Sequence, residues 1–275
     1  MTYLRACLRL MLISLYTAPL MPVQWLCLRR GWGFARWLPV LYHRGLCRLL
    51  GIRLVRRGVA VAEGPALLVA NHASWLDIAV LSTLAPLSFV SRHDVAEWPV
   101  FGTLARLQRT VFVERRRART LAQRDLLTAR LAAGDRLVLF AEGTSSDGNR
   151  VLPFKSGLFA AVETPIDGSL VAVQPISIAY THLDGMPLGR RFRHYYAWYG
   201  DMRLPPHLWH VLRQGSVRVE VQCHAPLSMA GFTSRKALAE HCRATISSGL
   251  AQALTGRRNE SVAASSGDLA AAKRA

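Results

Sequence analysis

The chain has 275 residues, of which 51% are hydrophobic and 19% are charged, and its formal net charge is +18. A chain of this length and apolar content can bury one sizeable core, as one domain or as a domain with an appendage. The five cysteines are scattered, odd in number and without a Cys-x-x-Cys pair. This pattern argues against a disulfide framework and a zinc site, and it fits reduced thiols that face the cytoplasm.

The positive charge is concentrated near the N-terminus. Residues 1–60 contain ten arginines and no acidic residue, and the first acid is Glu63. Anionic membrane surfaces attract such segments, by on the order of 1 kcal/mol for each basic residue close to the lipid. The charge distribution therefore favours contact with a membrane.

The same region contains an apolar stretch. Residues 10–28 are free of charge for 19 residues, a length that just spans a bilayer core. Pro19 and Pro22 favour a kinked, re-entrant or interfacial helix over a straight transmembrane one. Residues 36–50 alternate arginine with apolar side chains, as interfacial amphipathic helices do. We predict that residues 1–50 are membrane-associated helices; a buried helix of a soluble domain is the alternative.

Further along the chain, apolar runs alternate with helical patterns. Strands are predicted at 51–61, 65–70, 87–90, 111–113, 136–140, 170–178, 195–199 and 217–221, and helices at 76–84, 118–132 and 234–254. This alternation predicts an α/β fold with a mostly parallel sheet flanked by helices, preceded by the N-terminal membrane-associated helical segment. Residues 51–254 form the predicted globular domain, and residues 255–275 are predicted to be a disordered tail.

Polar side chains directly follow the predicted buried strand at 65–70. Asn71 and His72 come first, and Asp77 lies five residues beyond His72. A histidine can act as a general base when a carboxylate on its far nitrogen fixes the tautomer and stabilises the imidazolium. Five residues turn a helix by about 140°. We therefore expect His72 in the strand-to-helix turn and Asp77 in the helix, with Ser74 as its N-cap. A surface histidine beside a capping carboxylate is the alternative.

A second polar loop, residues 141–148, follows the predicted strand at 136–140. Gly143 permits an unusual backbone conformation, and the hydroxyls and amides around it are suited to hold a polar headgroup. Taken alone, the loop is also compatible with an ordinary turn. Ligands of open α/β sheets bind at the carboxyl ends of strands. Two such loops after two apolar strands therefore predict one shared site with His72.

Together these segments resemble the glycerolipid acyltransferase family typified by 1-acylglycerol-3-phosphate acyltransferases. The family motif Asn-His-x-x-x-x-Asp is matched by Asn71, His72 and Asp77. The motif Phe-Pro-Glu-Gly-Thr-Arg-Ser is matched by Phe140, Glu142, Gly143, Thr144 and Ser146. A looser motif between them is matched by Arg92, His93, Pro99, Gly102 and Arg115. A final Val-Pro-like strand resembles Val173-Gln174-Pro175-Ile176, so the similarity covers roughly residues 65 to 180.

One departure concerns the acceptor. Ser145 stands where the family usually has an arginine, which is expected to engage the acceptor's phosphate because a guanidinium binds phosphate bidentately. The segment after Ser145 resembles a bacterial branch that includes acyltransferases acting on lyso-ornithine lipid as well as on lysophosphatidic acid. Arg150 and Lys155 are the candidates for a replacement cation.

The resemblance implies direct acyl transfer from a thioester of coenzyme A or acyl-carrier protein to the free hydroxyl of a lyso-lipid. No metal and no further cofactor is expected. His72 and Asp77 are the implied catalytic pair. The implied substrate-binding residues are Arg92, Arg115, Glu142, Gly143, Thr144 and Ser145. The first expectation for the acceptor is 1-acyl-sn-glycerol-3-phosphate, which gives phosphatidic acid; lyso-ornithine lipid is the alternative.

The expected location is the cytoplasmic (inner) membrane, with the catalytic domain facing the cytoplasm and membrane lipids as partners. No nucleic-acid motif is present, so no nucleic-acid partner is expected. Two rival classes stay open. A hydrolase would use the same base with water and release free fatty acid. A non-catalytic basic membrane-binding protein would bind anionic vesicles and be indifferent to loss of His72.

Overall fold

A computed structural model describes residues 2–113, 120–166 and 168–257. The helices are α1 (Thr2–Arg29), α2 (Leu38–Leu50), α3 (Leu76–Ser82), α4 (Phe101–Leu107), α5 (Thr120–Ala132), α6 (Leu204–Arg213) and α7 (Arg235–Thr255). The strands are β1 (Ile52–Gly58), β2 (Ala66–Ala70), β3 (Ser88–Arg92), β4 (Val111–Val113), β5 (Arg136–Phe140), β6 (Ala172–Leu183), β7 (Met186–Pro187) and β8 (Val217–Cys223).

The strands form one eight-stranded sheet in the order β1-β8-β6-β2-β5-β3-β4, with β7 paired to β6. The pairs β1·β8, β6·β2, β2·β5, β5·β3 and β3·β4 are parallel, while β8 and β7 run antiparallel to β6. Parallel strands require crossover connections, and helices provide most of them here. The predicted α/β fold with a mostly parallel, helix-flanked sheet is therefore confirmed.

The central strand β2 is buried on both faces, as its unbroken apolar sequence predicts. Alternate side chains enter different cores, because successive residues of a strand point to opposite sides of the sheet. Leu68 and Ala70 pack in the core beneath α2 and α3. Leu67 and Val69 pack in the other, beneath α5 and α7. Both flanking layers thus hold β2 and its exit loop in place.

One predicted strand is wrong. Residues 195–199 do not pair in the sheet; a short 3-10 helix, Arg193–Tyr195, is followed by irregular chain. The amide of Trp198 donates to the carbonyl of Ala73, 2.7 Å away, so this segment packs against the loop after β2. Aromatic residues favour strands only because they fit a half-buried pleated surface. The aromatic pattern of residues 195–199 therefore does not reveal that this segment hydrogen-bonds to a loop.

Other boundaries differ by a few residues. Strand β6 extends to Leu183, beyond the predicted end at 178. Helix α6 begins with prolines in its first turn, a position that suits proline. Arg115 and residues 258–275 lie outside the described residues. The predicted tail and the division at residue 50 stay predictions.

Helix α1 runs unbroken through Pro19 and Pro22. By length and composition it is the one helix, within the described part of the chain, that is able to cross a membrane, and 6% of its most apolar window is buried. Hydrogen bonds tie it to the domain at two levels. Arg9 donates to the carbonyls of Leu212 and Gln214. Gln24, about 22 Å further along by helical rise, donates to the carbonyls of Ala35 and Leu107.

Candidate active site

The two polar loops meet at one edge of the sheet. Strands β2 and β5 are parallel neighbours, and Ala70 lies opposite Phe140 in their register. The chain therefore leaves both strands side by side, with His72 after one and Glu142 after the other. The amide of His72 donates to Oε1 of Glu142 at 2.8 Å. This contact joins the two motifs that the sequence placed 70 residues apart.

His72 and Asp77 form a hydrogen-bonded pair. His72 Nδ1 lies 2.9 Å from Oδ2 of Asp77, whose side chain is fully buried. The same oxygen accepts from the backbone amides of Ala73 at 2.7 Å and Ser74 at 2.9 Å. The carboxylate accepts hydrogen bonds, so Nδ1 of neutral His72 carries the proton and Nε2 presents a lone pair. This is the arrangement of an oriented general base.

The predicted cap of helix α3 is corrected by one residue. Trp75 occupies the N-cap position, and no side chain caps it. Asp77 instead lies in the first turn and reaches back to the two amides that precede the helix. The turn of the chain at residues 71–75 thus brings the carboxylate to the histidine, as the five-residue spacing requires.

The His72 ring lies in a partly open position. It stacks on Phe140, with ring centroids 4.0 Å apart and planes inclined by 17°. Its side chain is 18% exposed, whereas that of Asp77 is 0% exposed. Within the described residues, no group hydrogen-bonds Nε2. The nitrogen that would take a proton therefore faces accessible space, and its partner is shielded from water.

Glu142 is buried and connects two segments of the chain through hydrogen bonds. Its side chain accepts from the His72 amide through Oε1 and from the Leu152 amide through Oε2, at 2.8 and 2.9 Å. The residue is 2% exposed. Burial raises the pKa of Glu142 to about 7, and the two amide bonds oppose that shift only in part. The structure gives this residue a role in holding His72 in place.

The raised pKa makes stability depend on pH. Folded Glu142 keeps its proton up to about pH 7, whereas its ordinary value is 4.5. The stability this group contributes is present below pH 4.5 and is lost as pH rises through 7, by about 3 kcal/mol in total. We expect Glu142→Gln to abolish this loss, so the variant should gain stability relative to wild type between pH 5 and 8. Thermal unfolding in detergent measures the difference.

At about pH 3.5 the side chain at position 142 is mostly neutral in both proteins, folded or unfolded, because the ordinary pKa of glutamate is 4.5. Comparison at that pH isolates the bond geometry, because the glutamine amide group faces one of the two N–H donors and loses that bond at a cost of about 1 kcal/mol or more. Stability curves that run parallel from pH 5 to 8 would show that Glu142 does not titrate in this range.

The second loop forms a wall beside His72. The Ser146 amide donates to the His72 carbonyl at 2.8 Å. The Ser145 hydroxyl donates to the Trp198 carbonyl, and Trp198 in turn is bound to Ala73. The backbone of Trp198 therefore connects this loop to the loop after β2. The hydrogen bond to the Trp198 carbonyl holds the Ser145 side chain in place.

Gly143 and Thr144 occupy the turn between Glu142 and Ser145. Gly143 has a positive φ of 69°, and a Cβ atom there would lie 2.8 Å from Nζ of Lys155. The positive φ favours glycine at this position, whereas the flexible end of Lys155 could move aside. Thr144 is exposed. Of the two cations predicted to replace the family arginine, Lys155 thus lies against the loop.

Arg92 and Arg115 are the residues predicted to bind the phosphate of the acceptor. Arg92 ends β3, on the same edge of the sheet, and is exposed. Its Nε and Nη2 both donate to the Asp94 carboxylate, at 2.9 and 2.6 Å. Among the described residues it makes no hydrogen bond to the loops that carry His72 and Glu142. Arg115 lies outside the described residues, and its role stays a prediction.

One contact at the site was not anticipated. The hydroxyl of Tyr180 donates to Oδ1 of Asp77 at 2.7 Å. A tyrosine within an apolar strand is the available sequence signal, because a buried phenol usually needs a hydrogen-bond partner. The sequence does not state which partner, since the two residues are 103 positions apart.

Several known proteins are similar to this chain. The family model "Acyltransferase" matches residues 51–179. A lyso-ornithine lipid O-acyltransferase of Brucella abortus is 48% identical over 86% of this chain and 91% of its own length. One from Rhizobium meliloti is 44% identical over 93% and 89%. A 1-acyl-sn-glycerol-3-phosphate acyltransferase of Neisseria meningitidis is 31% identical over 66% and 69%.

The fold also matches a solved structure. The crystal structure of the 1-acyl-sn-glycerophosphate (LPA) acyltransferase PlsC from Thermotoga maritima superposes with a TM-score of 0.67 and covers 94% of this chain and 100% of its own. At 21% identity this likeness concerns the fold. The family motifs, the relatives that align over most of the chain and the fold all indicate the same family. The chain belongs to the glycerolipid acyltransferase family and is an acyltransferase.

Proposed function

We propose that this acyltransferase moves a fatty acyl group from an acyl thioester to the free hydroxyl of lyso-ornithine lipid. The observation that carries the proposal is Ser145. It stands where the family's phosphate-binding arginine is expected, and its hydroxyl is bound to the Trp198 carbonyl. Four proteins named lyso-ornithine lipid O-acyltransferase are 35% to 48% identical to this chain, whereas two named 1-acyl-sn-glycerol-3-phosphate acyltransferase are 31% and 29% identical.

The headgroup chemistry favours lyso-ornithine lipid as the acceptor, although the sequence alone suggested 1-acyl-sn-glycerol-3-phosphate first. A phosphate monoester calls for a bidentate guanidinium. An ornithine headgroup carries one carboxylate and one ammonium, and needs less positive charge. Arg92 is already paired with Asp94. Lysophosphatidic acid stays the second candidate acceptor, because Lys155 provides a cation against the Gly143 turn.

The proposed reaction uses His72 as general base. Nε2 takes the proton of the acceptor hydroxyl as its oxygen attacks the thioester carbonyl carbon. The tetrahedral intermediate collapses, the carbon–sulfur bond breaks, and the imidazolium returns the proton to the leaving thiolate. The products are an ester and a free thiol. Asp77 holds the imidazole orientation and balances its positive charge during the reaction.

Backbone amides are the proposed oxyanion donors. The amides of Ala73 and Ser74 are engaged by Asp77, and that of Ser146 by the His72 carbonyl. The amides of Thr144 and Ser145 have no hydrogen-bond partner among the described residues. They directly precede the Ser146 amide, which donates to the His72 carbonyl, and they are suited to stabilise developing negative charge. We propose no metal or further cofactor, because a thioester is already activated.

The proposed location is the inner membrane surface, with the domain on the cytoplasmic side. Large apolar side chains are exposed along α1 and the segment after it, namely Tyr3, Leu4, Leu8, Leu10, Met11, Leu12, Leu15, Val23, Trp25, Leu26, Trp32, Phe34, Trp37 and Leu41. Contacts through Arg9 and Gln24 hold α1 along the domain. Because α1 is apolar and is bound to the domain at both levels, we propose that it lies in the membrane interface and does not cross the membrane.

Acceptor choice is tested by Ser145→Arg. A guanidinium at position 145 should raise kcat/KM for the phosphate acceptor relative to lyso-ornithine lipid by about tenfold, the effect of roughly one charge-assisted hydrogen bond. The measurement is the ratio of kcat/KM for the two acceptors, lyso-ornithine lipid and 1-acylglycerol-3-phosphate. Ser145→Ala is the control, because it removes the Trp198 contact without adding charge and should preserve the ratio. Wild-type transfer to the phosphate acceptor alone would contradict the proposal.

A further inference from the structure

The two oxygens of the Asp77 carboxylate have different partners. Oδ2 accepts from His72 and from the amides of Ala73 and Ser74. Oδ1 accepts from the hydroxyl of Tyr180. Rotation about the last bond of the side chain, Cβ–Cγ, moves both oxygens together. A donor on Oδ1 therefore restrains Oδ2 as well, and the Tyr180 bond adds to the hold of the three donors on Oδ2.

The fold makes Tyr180 a rigid donor. Strand β6 continues past the end of β2, since Ile176 lies opposite Ala70 and Tyr180 comes four residues later. The ring stacks on Tyr196, with centroids 5.9 Å apart and planes inclined by 8°. Tyr180 is 4% exposed, so bulk water cannot replace it. Burial and the adjacent Asp77 carboxylate raise the pKa of Tyr180 well above its ordinary value, so its hydroxyl keeps its proton.

We propose that Tyr180 is a positioning residue for acyl transfer: its hydroxyl fixes the plane of the Asp77 carboxylate and shares its charge, so that Oδ2 stays directed at His72 Nδ1. The inference rests on the proposed role of His72 as general base. A hydrogen bond that draws charge from Asp77 also weakens the hold of Asp77 on a proton at His72. Tyr180 therefore contributes both to the geometry of the base and to the pH at which it works.

The stacked pair of tyrosines provides a matched control. Both Tyr180 and Tyr196 are buried, and each has one hydroxyl. The Tyr196 hydroxyl has no hydrogen-bond partner among the described residues. Tyr180→Phe and Tyr196→Phe therefore remove the same atom from the same stack, but only the first removes a donor from Asp77.

We expect Tyr180→Phe to lower kcat by about tenfold to a hundredfold, as loss of a hydrogen bond to a charged group predicts. KM for the acceptor should change little, because Tyr180 lies behind Asp77. The acid limb of the pH–rate profile should move to higher pH by about half a unit or more, since the unshared charge of Asp77 holds the proton on His72 more tightly. Tyr196→Phe should keep the wild-type kcat and acid limb.

A purely structural role for Tyr180 would lower the melting temperature and leave the acid limb in place, which would overturn the proposal. Should Tyr180→Phe not fold, 3-fluorotyrosine at position 180 keeps the ring and the hydroxyl. The fluorinated phenol is a stronger donor and should move the acid limb to lower pH; an unmoved limb would overturn the proposal. An inactive wild type would count against the proposed function, whereas an active wild type with an insensitive Tyr180→Phe counts against this inference alone.

Discussion

Replacement of His72 by alanine should lower kcat for acyl transfer by about a thousandfold or more, because it removes the proposed general base. The fold should survive. The contacts of His72 that join the two loops are made by its backbone, through the amide to Glu142 and the carbonyl to Ser146. Alanine keeps both. The ring is partly exposed and packs mainly on Phe140, so its loss leaves little buried space.

The measurement is transfer of a labelled acyl group by purified, detergent-solubilised protein, with the melting temperature as a check on folding. His241→Ala is the matched control, since His241 is an exposed histidine on α7. It should transfer at the wild-type rate. A folded His72→Ala protein that retains activity would remove His72 from the mechanism.

Asp77→Asn should be the next most damaging change, with a loss in kcat on the order of a hundredfold to ten-thousandfold. The asparagine oxygen can take the place of Oδ2 and still accept from His72, Ala73 and Ser74. Its amide group would then face the oxygen of Tyr180. Shape and most hydrogen bonds persist, so the loss reports mainly the missing negative charge beside the imidazolium.

Asp77→Ala separates charge from structure. It leaves the amides of Ala73 and Ser74 without their acceptor, and should cost about 2 kcal/mol or more of unfolding free energy in addition to activity. Asp77→Asn should transfer slowly yet stay close to wild type in stability, as measured by single-turnover rates and thermal unfolding. An Asp77→Asn protein with near wild-type kcat would contradict the role of the carboxylate.

The local part of the site was predictable from sequence. His72 and Asp77 are five residues apart, so the strand exit and the turn are enough to bring them together. Glu142 was found through its motif, but its hydrogen-bond partners were not. The sequence suggested a substrate contact, whereas the structure buries its carboxylate between the amides of His72 and Leu152. Whether a motif residue touches substrate or braces a neighbour depends on burial, which spacing does not encode.

The non-local part was not predictable. Tyr180 meets Asp77 only because β6 runs beside β2 and past its end. The segment at 195–199 has the aromatic pattern of a strand, yet its backbone bonds to the Ala73 loop. Local pattern specifies an amphipathic surface but not which chain segment pairs with it. Arg92 likewise matched its motif, while its pairing with Asp94 is visible only in three dimensions.

The most direct test of the account is acyl transfer with both acceptors in competition. Labelled acyl thioester would be supplied to wild-type and His72→Ala protein together with lyso-ornithine lipid and 1-acylglycerol-3-phosphate. We predict that wild type forms mainly ornithine lipid and that His72→Ala forms neither product at a measurable rate. Phosphatidic acid as the main product would contradict the proposed acceptor, and ornithine lipid formed equally by His72→Ala would contradict the proposed base.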